Sequence, residues 1–196
     1  MKKMMTWRVV DIVVAAVLGV ACGLLFWVWN SIGYAWYTAA QAITPGFGGI
    51  ATGIWLIGGV LGALVIRKPG AAIFVEVVAA CVSAILGNQW GIETVYSGLA
   101  QGLGAELMFA IFVYRRFSLP VAVLGGIGAA VGGWALELVT SANYAMSVTF
   151  NVIYLSTMCV SGALLAGALG FALVRGLAAT GALDRFAVGR ERQRLV

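Results

Sequence analysis

The sequence contains no histidine among its 196 residues. Imidazole is the usual axial ligand of haem iron, a frequent ligand of catalytic zinc, and the base of Ser-His and Cys-His pairs. The absence of histidine disfavours all of these chemistries. The three cysteines, Cys22, Cys81 and Cys159, lie far apart inside apolar runs and form no CxxC pattern. We interpret them as small buried hydrophobic side chains.

Charge is also scarce. Charged residues make up 10% of the chain, apolar residues make up 62%, and the mean hydropathy is +1.02. Soluble domains are nearer about one half apolar and one quarter charged. The composition therefore predicts an all-α integral membrane protein. The net charge of +5 does not indicate nucleic-acid binding, because the basic residues flank apolar runs.

Six apolar runs predict six transmembrane helices, since a bilayer requires about 20 residues per helix. The expected spans are residues 9–29, 47–66, 71–87, 92–113, 119–140 and 146–174. We expect a membrane domain over residues 1–178 and a polar cytoplasmic tail over residues 179–196. Residues 30–45, rich in Tyr and Trp, are expected to form a connection at the membrane surface.

The distribution of Lys and Arg predicts the orientation. If the connections alternate between the two sides of the membrane, every Lys and Arg falls on one side. By the positive-inside rule, that side is cytoplasmic. The prediction is a six-helix bundle with both termini in the cytoplasm and the aromatic connections outside.

Polar side chains in the outer halves of the spans predict a binding site. Ionisable groups at membrane depth are costly and usually functional. Carboxylates, amides and aromatic rings without Lys or Arg are typical of a site for a small, flat organic cation. The expected ligand-binding residues are Asn30, Trp36, Asn88, Gln89, Trp90, Glu93, Gln101, Trp134, Glu137, Asn143, Asn151 and Tyr154.

Bland interpretations exist for several of these residues. Trp36 could be an ordinary aromatic anchor at the membrane–water interface. The carboxylates of Glu93 and Glu137 could extend to the outer surface of the membrane. Glu76 and Glu106 lie nearer the cytoplasmic ends of two adjacent spans. We expect this pair to bond to glycine-rich backbone or to share a proton, with a structural role favoured over ligand contact.

A stripe of small residues lies on the first span. Ala15, Gly19 and Gly23 follow each other at four-residue steps, which allows another helix to approach closely. The stripe could hold the bundle together or receive a partner subunit.

Three segments carry a family resemblance: WRVVDIVVAAVLGVACGLLFWVWN, EVVAACVSAILGNQWG and GLAQGLGAELMFAIFVYRRF. With them, the chain resembles the substrate-binding S component of an energy-coupling-factor (ECF) transporter, of the YkoE type. The resemblance implies a multi-pass protein of the bacterial cell membrane that captures thiamine or its hydroxymethylpyrimidine precursor. It also implies a transmembrane coupling subunit and two cytoplasmic ATPases as partners, no enzymatic activity, and docking through the small-residue stripe.

Two other classes would also place carboxylates in a membrane. A proton-coupled exporter of small organic cations would require a carboxylate that reaches both faces. A lipid-headgroup enzyme would require clustered carboxylates for a metal near the cytoplasmic face, and only Glu76 and Glu106 qualify. These two residues lack a DxxD-type spacing, which makes a poor metal site.

Overall fold

The computed structural model describes residues 6–193, and the regular secondary structure within that range is entirely helical. The predicted all-α class is therefore confirmed. In chain order, the helical segments are α1 (Val9–Ile43), a 3₁₀ segment (Phe47–Leu56) that runs into α2 (Ile57–Ile66), α3 (Ala71–Ile85), α4 (Glu93–Ile111), α5 (Leu119–Thr140), a 3₁₀ turn (Asn143–Ala145), α6 (Val148–Ser161), a π-helical segment (Gly162–Leu169), α7 (Gly170–Ala179) and α8 (Ala187–Gln193).

Four helical rods of the described chain are long and apolar enough to cross a membrane: Val9–Ile43, Phe47–Ile66, Leu119–Thr140 and Val148–Ala179. They correspond to the first, second, fifth and sixth expected spans. The two helices between them differ, because α3 has only 15 residues and the 19-residue α4 carries two carboxylates. The count of six crossings stays a prediction. Lys2, Lys3 and Arg194, used to predict orientation, lie outside the described residues.

The prediction that residues 30–45 form a connection is wrong, because α1 continues as a single helix to Ile43. Low hydropathy in this stretch indicates where the bilayer ends and not where the helix ends. The helix stops at Thr44, which is extended (φ −149°, ψ 125°) because it precedes Pro45. Its 35 residues rise about 1.5 Å each, so α1 exceeds the hydrocarbon thickness of about 30 Å.

Glycines bring the later helices into backbone contact. A Cβ atom on Gly128 of α5 would collide with the carbonyl group of Gly104 in α4. Gly126 of α5 has the same relation to Gly162 at the start of the π-helical segment. The glycine-rich fifth span is therefore a packing surface on two sides.

The small-residue stripe of α1 is also a packing surface inside the chain. Ala15 is fully buried, and a Cβ atom on Gly19 or Gly23 would collide with Val78 or Val82 of α3. The stripe is occupied by α3, so in this structure it cannot contact a partner subunit. The expectation that it forms the docking surface is corrected accordingly.

Two carboxylates fix the loop between α2 and α3 at the end of the bundle that carries the basic residues. Asp11, almost fully buried, pairs with Arg8 at 2.8 Å and with Lys68. Glu106 accepts hydrogen bonds from the Gly70 amide at 2.7 Å and from the Tyr114 hydroxyl at 2.7 Å.

Glu106 also accepts a hydrogen bond from the Ala72 amide at 2.9 Å, so it caps the first turn of α3. Burial, together with this neighbouring carboxylate, raises the pKa of Tyr114. Glu106 thus has the structural role that its position in the sequence favoured.

Candidate functional site

A cavity of about 280 Å³ lies between the 3₁₀ segment and helices α1, α3, α4, α5 and α6. It extends from the middle of α3 to the loops at residues 86–92 and 141–147, on the side with no Lys or Arg in its connections. The lining residues are Phe26, Asn30, Tyr34, Tyr37, Thr52, Trp55, Glu76, Ala80, Ser83, Trp90, Glu93, Thr94, Ser97, Gly98, Gln101, Glu137, Thr140, Ser141, Asn143, Tyr154 and Met158.

Three carboxylates reach this cavity, and its described lining includes no Lys or Arg. Glu93 is exposed, whereas Glu76 is 1% exposed. Oε1 of Glu76 and Oε2 of Glu137 are buried without a hydrogen-bond partner among the described residues. Because an unpaired buried carboxylate is costly, a cationic group in the cavity would stabilise both.

The second oxygen of Glu76 is anchored. Oε2 accepts a short hydrogen bond from the backbone amide of Gly59, near the start of α2. The expected proton sharing with Glu106 does not occur, because Glu106 bonds to the loop at residues 70–73. Glu76 therefore combines a bond to glycine-rich backbone, as expected, with a place on the cavity wall that the sequence did not favour.

Aromatic rings form the wall nearest the loops. Trp90 meets Tyr34 edge to face at 5.5 Å between ring centroids, and Trp55 at 5.7 Å. Tyr34 stacks on Tyr37 at 6.0 Å, and Tyr37 meets the Tyr154 ring at 6.2 Å. These π faces lie close to three carboxylates, an arrangement that suits a flat ring bearing positive charge.

Sequence reasoning missed several lining residues because it ended the first helix too early. Once α1 continues past Trp29, Asn30, Tyr34 and Tyr37 follow at i, i+4 and i+7 on one face. Glu76, Ala80 and Ser83 have the same spacing on α3, a signal that could have placed Glu76 on the wall. The remaining lining residues not expected to bind ligand are Phe26, Thr52, Trp55, Thr94, Ser97, Gly98, Thr140, Ser141 and Met158.

Seven of the twelve expected ligand-binding residues line the cavity: Asn30, Trp90, Glu93, Gln101, Glu137, Asn143 and Tyr154. The other five do not. Trp36 is 65% exposed and Gln89 is also exposed, both outside the lining. Asn88 shapes the loop before α4, since its Oδ1 accepts from the backbone amides of Trp90 at 2.9 Å and Gly91 at 2.8 Å.

Comparisons with known proteins agree about the family. The model of a protein family described as "ABC-type cobalt transport system, permease component" matches residues 10–132 of this chain. YkoE of Bacillus subtilis (strain 168), provisionally named an HMP/thiamine permease protein, is 38% identical over 192 residues, or 96% of this chain and 93% of YkoE. A crystal structure of an S component of an ECF transporter matches with a TM-score of 0.89 and 36% identity, over 96% of this chain and 94% of that one. This chain belongs to the family of ECF transporter S components.

Family membership decides between the function classes. An ECF S component is a multi-pass membrane transport protein and not an enzyme, so the resemblance is confirmed and the lipid-headgroup enzyme is wrong. The family implies a small-molecule substrate and association with a membrane-embedded module and its ATPases.

In this S component, Trp134 and Asn151 support the cavity from behind. The Trp134 indole donates to Oδ1 of Asn151 at 3.2 Å, and the Asn151 amide donates to the backbone carbonyl of Asn143 at 2.8 Å. The hydrogen bonds of these two side chains therefore link α5, α6 and the 3₁₀ turn at Asn143–Ala145. Both residues were expected to contact the ligand directly. They lie outside the cavity lining, and their role in the structure is to position Asn143.

Asn30 lines the cavity of the S component, but its amide group is already bonded on both sides. It donates to Ser83 Oγ at 2.9 Å, and its Oδ1 accepts from the Trp55 indole at 2.9 Å. It therefore fixes the relative positions of α1, α3 and the 3₁₀ segment. The indole donor of Trp55 is used here, which leaves its ring face as the part that a ligand could contact.

Proposed function

We propose that this S component captures thiamine, or its hydroxymethylpyrimidine precursor, from outside the cell for import by an ECF-type ABC transporter. The observation that carries the proposal is the pair of buried carboxylate oxygens, on Glu76 and Glu137, in a cavity without Lys or Arg in its described lining. A thiazolium cation would pair with these carboxylates. An aminopyrimidine would find aromatic faces and polar partners such as Gln101.

The size and donors of the cavity also support this ligand class. Small-molecule sites occupy roughly 300–1,000 Å³, so a cavity of about 280 Å³ suits a compact ligand. An anionic vitamin such as biotin or folate would meet carboxylates, and no Lys or Arg in the described lining would balance its charge. The described residues include no group of three His, Cys, Asp or Glu that could hold a metal ion. We therefore propose an organic cargo for this member of the family.

Import is proposed to depend on partners. The relatives imply a transmembrane coupling subunit and cytoplasmic ATPases, which would supply the energy that this binding subunit lacks. The alternative of a proton-coupled exporter requires a carboxylate that serves both faces. Glu106, at the basic end of the bundle, is instead bonded to three backbone amides and to Tyr114. ATP-dependent uptake that needs the partner subunits would support import, whereas export driven by a proton gradient alone would contradict it.

Ligand titration of the purified protein tests the proposal. Trp55 and Trp90 lie on the cavity wall, so bound thiamine should quench their fluorescence. Hydroxymethylpyrimidine should compete with thiamine, whereas biotin, the anionic control, should not. If neither thiamine nor the pyrimidine changes the emission or competes with the other, the proposed ligand class is wrong.

A further inference from the structure

A second cavity, of about 870 Å³, lies at the opposite end of the bundle. It is formed by the end of α2, the connection at residues 112–118, helix α7 and helix α8. Its lining includes four arginines, Arg67, Arg115, Arg116 and Arg175, and no acidic residue among those described. Eight further lining residues are apolar: Leu64, Phe117, Leu119, Phe171, Val174, Ala178, Ala179 and Val188.

Aromatic rings and backbone hold two of the guanidinium groups. Arg67 lies 4.7 Å from the centroid of Phe117 and donates from Nε to the Leu64 carbonyl at 3.3 Å. The Arg175 guanidinium lies 5.7 Å from the centroid of the Phe171 ring. The stacking fixes the plane of the Arg175 guanidinium, and because Arg175 is exposed, the edge of this group is available for further hydrogen bonds.

Two of the described acidic side chains at this end of the bundle are already engaged. Asp11 pairs with Arg8 and Lys68, and Glu106 caps α3. The carboxylates of the first cavity are not part of the lining of the second. Arg116 and Arg175 are exposed at the second cavity, so their charge is presented to whatever enters it.

We propose that this cavity binds the phosphate headgroup of an anionic phospholipid. Guanidinium groups bind phosphate oxygens through paired, charge-assisted hydrogen bonds. A headgroup among the arginines would leave the acyl chains against the apolar part of the lining. Basic pockets between helices at the cytoplasmic membrane surface have the chemistry that recognises such headgroups.

The apolar lining separates a lipid from a free phosphate ion. A small hydrated anion gains nothing from apolar side chains, whereas acyl chains would shield Phe117, Leu119 and Phe171, which are partly or largely exposed to water. The arginines lie at the ends of the membrane helices α2 and α7 and in the connection between α4 and α5, at the depth of a lipid headgroup. Both features favour an amphiphile.

The experiment compares lipids on the intact, detergent-purified chain by native mass spectrometry. Phosphatidylglycerol and phosphatidylcholine with identical acyl chains separate headgroup charge from chain burial. The double variant Arg116→Gln, Arg175→Gln removes two charges, and Arg185→Gln, which lies outside the cavity, is the matched control. We expect selective binding of phosphatidylglycerol, and a loss of about 30-fold in the double variant because each arginine near the surface contributes about fivefold.

Several outcomes would overturn the proposal. Equal binding of the two lipids would show that the cavity does not recognise the charge of the headgroup. An equal loss in Arg185→Gln would indicate diffuse surface charge, and competition by inorganic phosphate at similar concentration would indicate a soluble anion. Loss of uptake in cells with lipid selectivity unchanged would identify the arginines as a contact for an acidic partner segment. If the double variant fails to fold, Arg175→Lys keeps the charge, and we expect it to keep most of the selectivity.

Discussion

Glu76 and Glu137 reach the same cavity from different helices and are held in different ways. One oxygen of Glu76 is fixed by the amide of Gly59, whereas Glu137 interacts with the hydroxyl of Tyr154. Each carboxylate keeps one buried oxygen without a partner. The Glu76 carboxylate is therefore bonded to backbone, while that of Glu137 is bonded to a tyrosine side chain on a neighbouring helix.

Removal of either buried charge should weaken thiamine binding. We expect Glu76→Gln and Glu137→Gln each to cost about 2–5 kcal/mol of binding free energy, because each leaves a desolvated cation without its partner. Glu93→Gln is the matched control at the same cavity. Since Glu93 is exposed, its loss should be below about 1 kcal/mol.

Calorimetric titration of the three variants measures these differences. A loss in Glu93→Gln as large as in the other two would mean that net charge matters and burial does not. Unchanged affinity in Glu137→Gln would remove this residue from the site.

At this scale, the sequence predicted some of the residues that line the cavity and missed others. The predicted depth of the polar residues selected Glu137, Gln101 and Tyr154, and all three line the same cavity in the structure. It also selected Asn88, whose side chain is used to shape a turn. Residue type and depth do not reveal which neighbour takes a side chain's hydrogen bonds, because that depends on tertiary contacts between helices.

At the scale of elements, glycine determines how closely the helices pack. Gly104 and Gly128 place α4 and α5 in backbone contact, and Gly19 and Gly23 do the same for α1 and α3. The sequence predicted close approach at the stripe on α1 but left open whether the neighbour was internal or a partner. Spacing defines a groove, and only the assembled bundle shows that α3 fills it. The bounds of the fifth span, residues 119–140, were predictable because Ser118 and Pro120 begin the helix and the apolar run sets its length.

A methyl group tests this packing. Gly128→Ala should lower stability by about 1–3 kcal/mol, because the new Cβ collides with the Gly104 carbonyl and the helices must separate. Gly176→Ala is the control, since no described atom outside the adjacent backbone of its own helix lies within 4 Å of the position that its Cβ would take. It should be neutral or stabilising by up to about 1 kcal/mol from helix propensity.

Thermal unfolding in one detergent compares these two variants directly. If Gly128→Ala were as stable as Gly176→Ala, α4 and α5 would not be in backbone contact at this point.

At the scale of the whole molecule, the two ends of the bundle differ in charge. The cavity with Glu76 and Glu137 extends toward connections without Lys or Arg, and the cavity with the arginines lies at the other end. This separation follows from the same distribution of basic residues that predicted the orientation. The proposed binding cavity therefore lies toward the side of the membrane that is predicted to face outward.

Labelling of single cysteines in whole cells tests the orientation, after Cys22, Cys81 and Cys159 are replaced. Positions 36, 89 and 144, which are exposed, should react with a membrane-impermeant reagent from outside. Positions 67 and 115 should react only after the membrane is opened. External labelling at position 115 would reverse the orientation and place the carboxylate cavity toward the cytoplasm.

The most direct measurement of the central claim is the identity of the small molecule that co-purifies with the detergent-solubilised protein. Mass spectrometry of the released ligand should find thiamine or a related pyrimidine, in an amount approaching one per chain. It should be much reduced in the double variant Glu76→Gln, Glu137→Gln, provided that this variant unfolds at the temperature of the wild type. An anionic ligand, or an equal amount of thiamine in the folded double variant, would contradict the account.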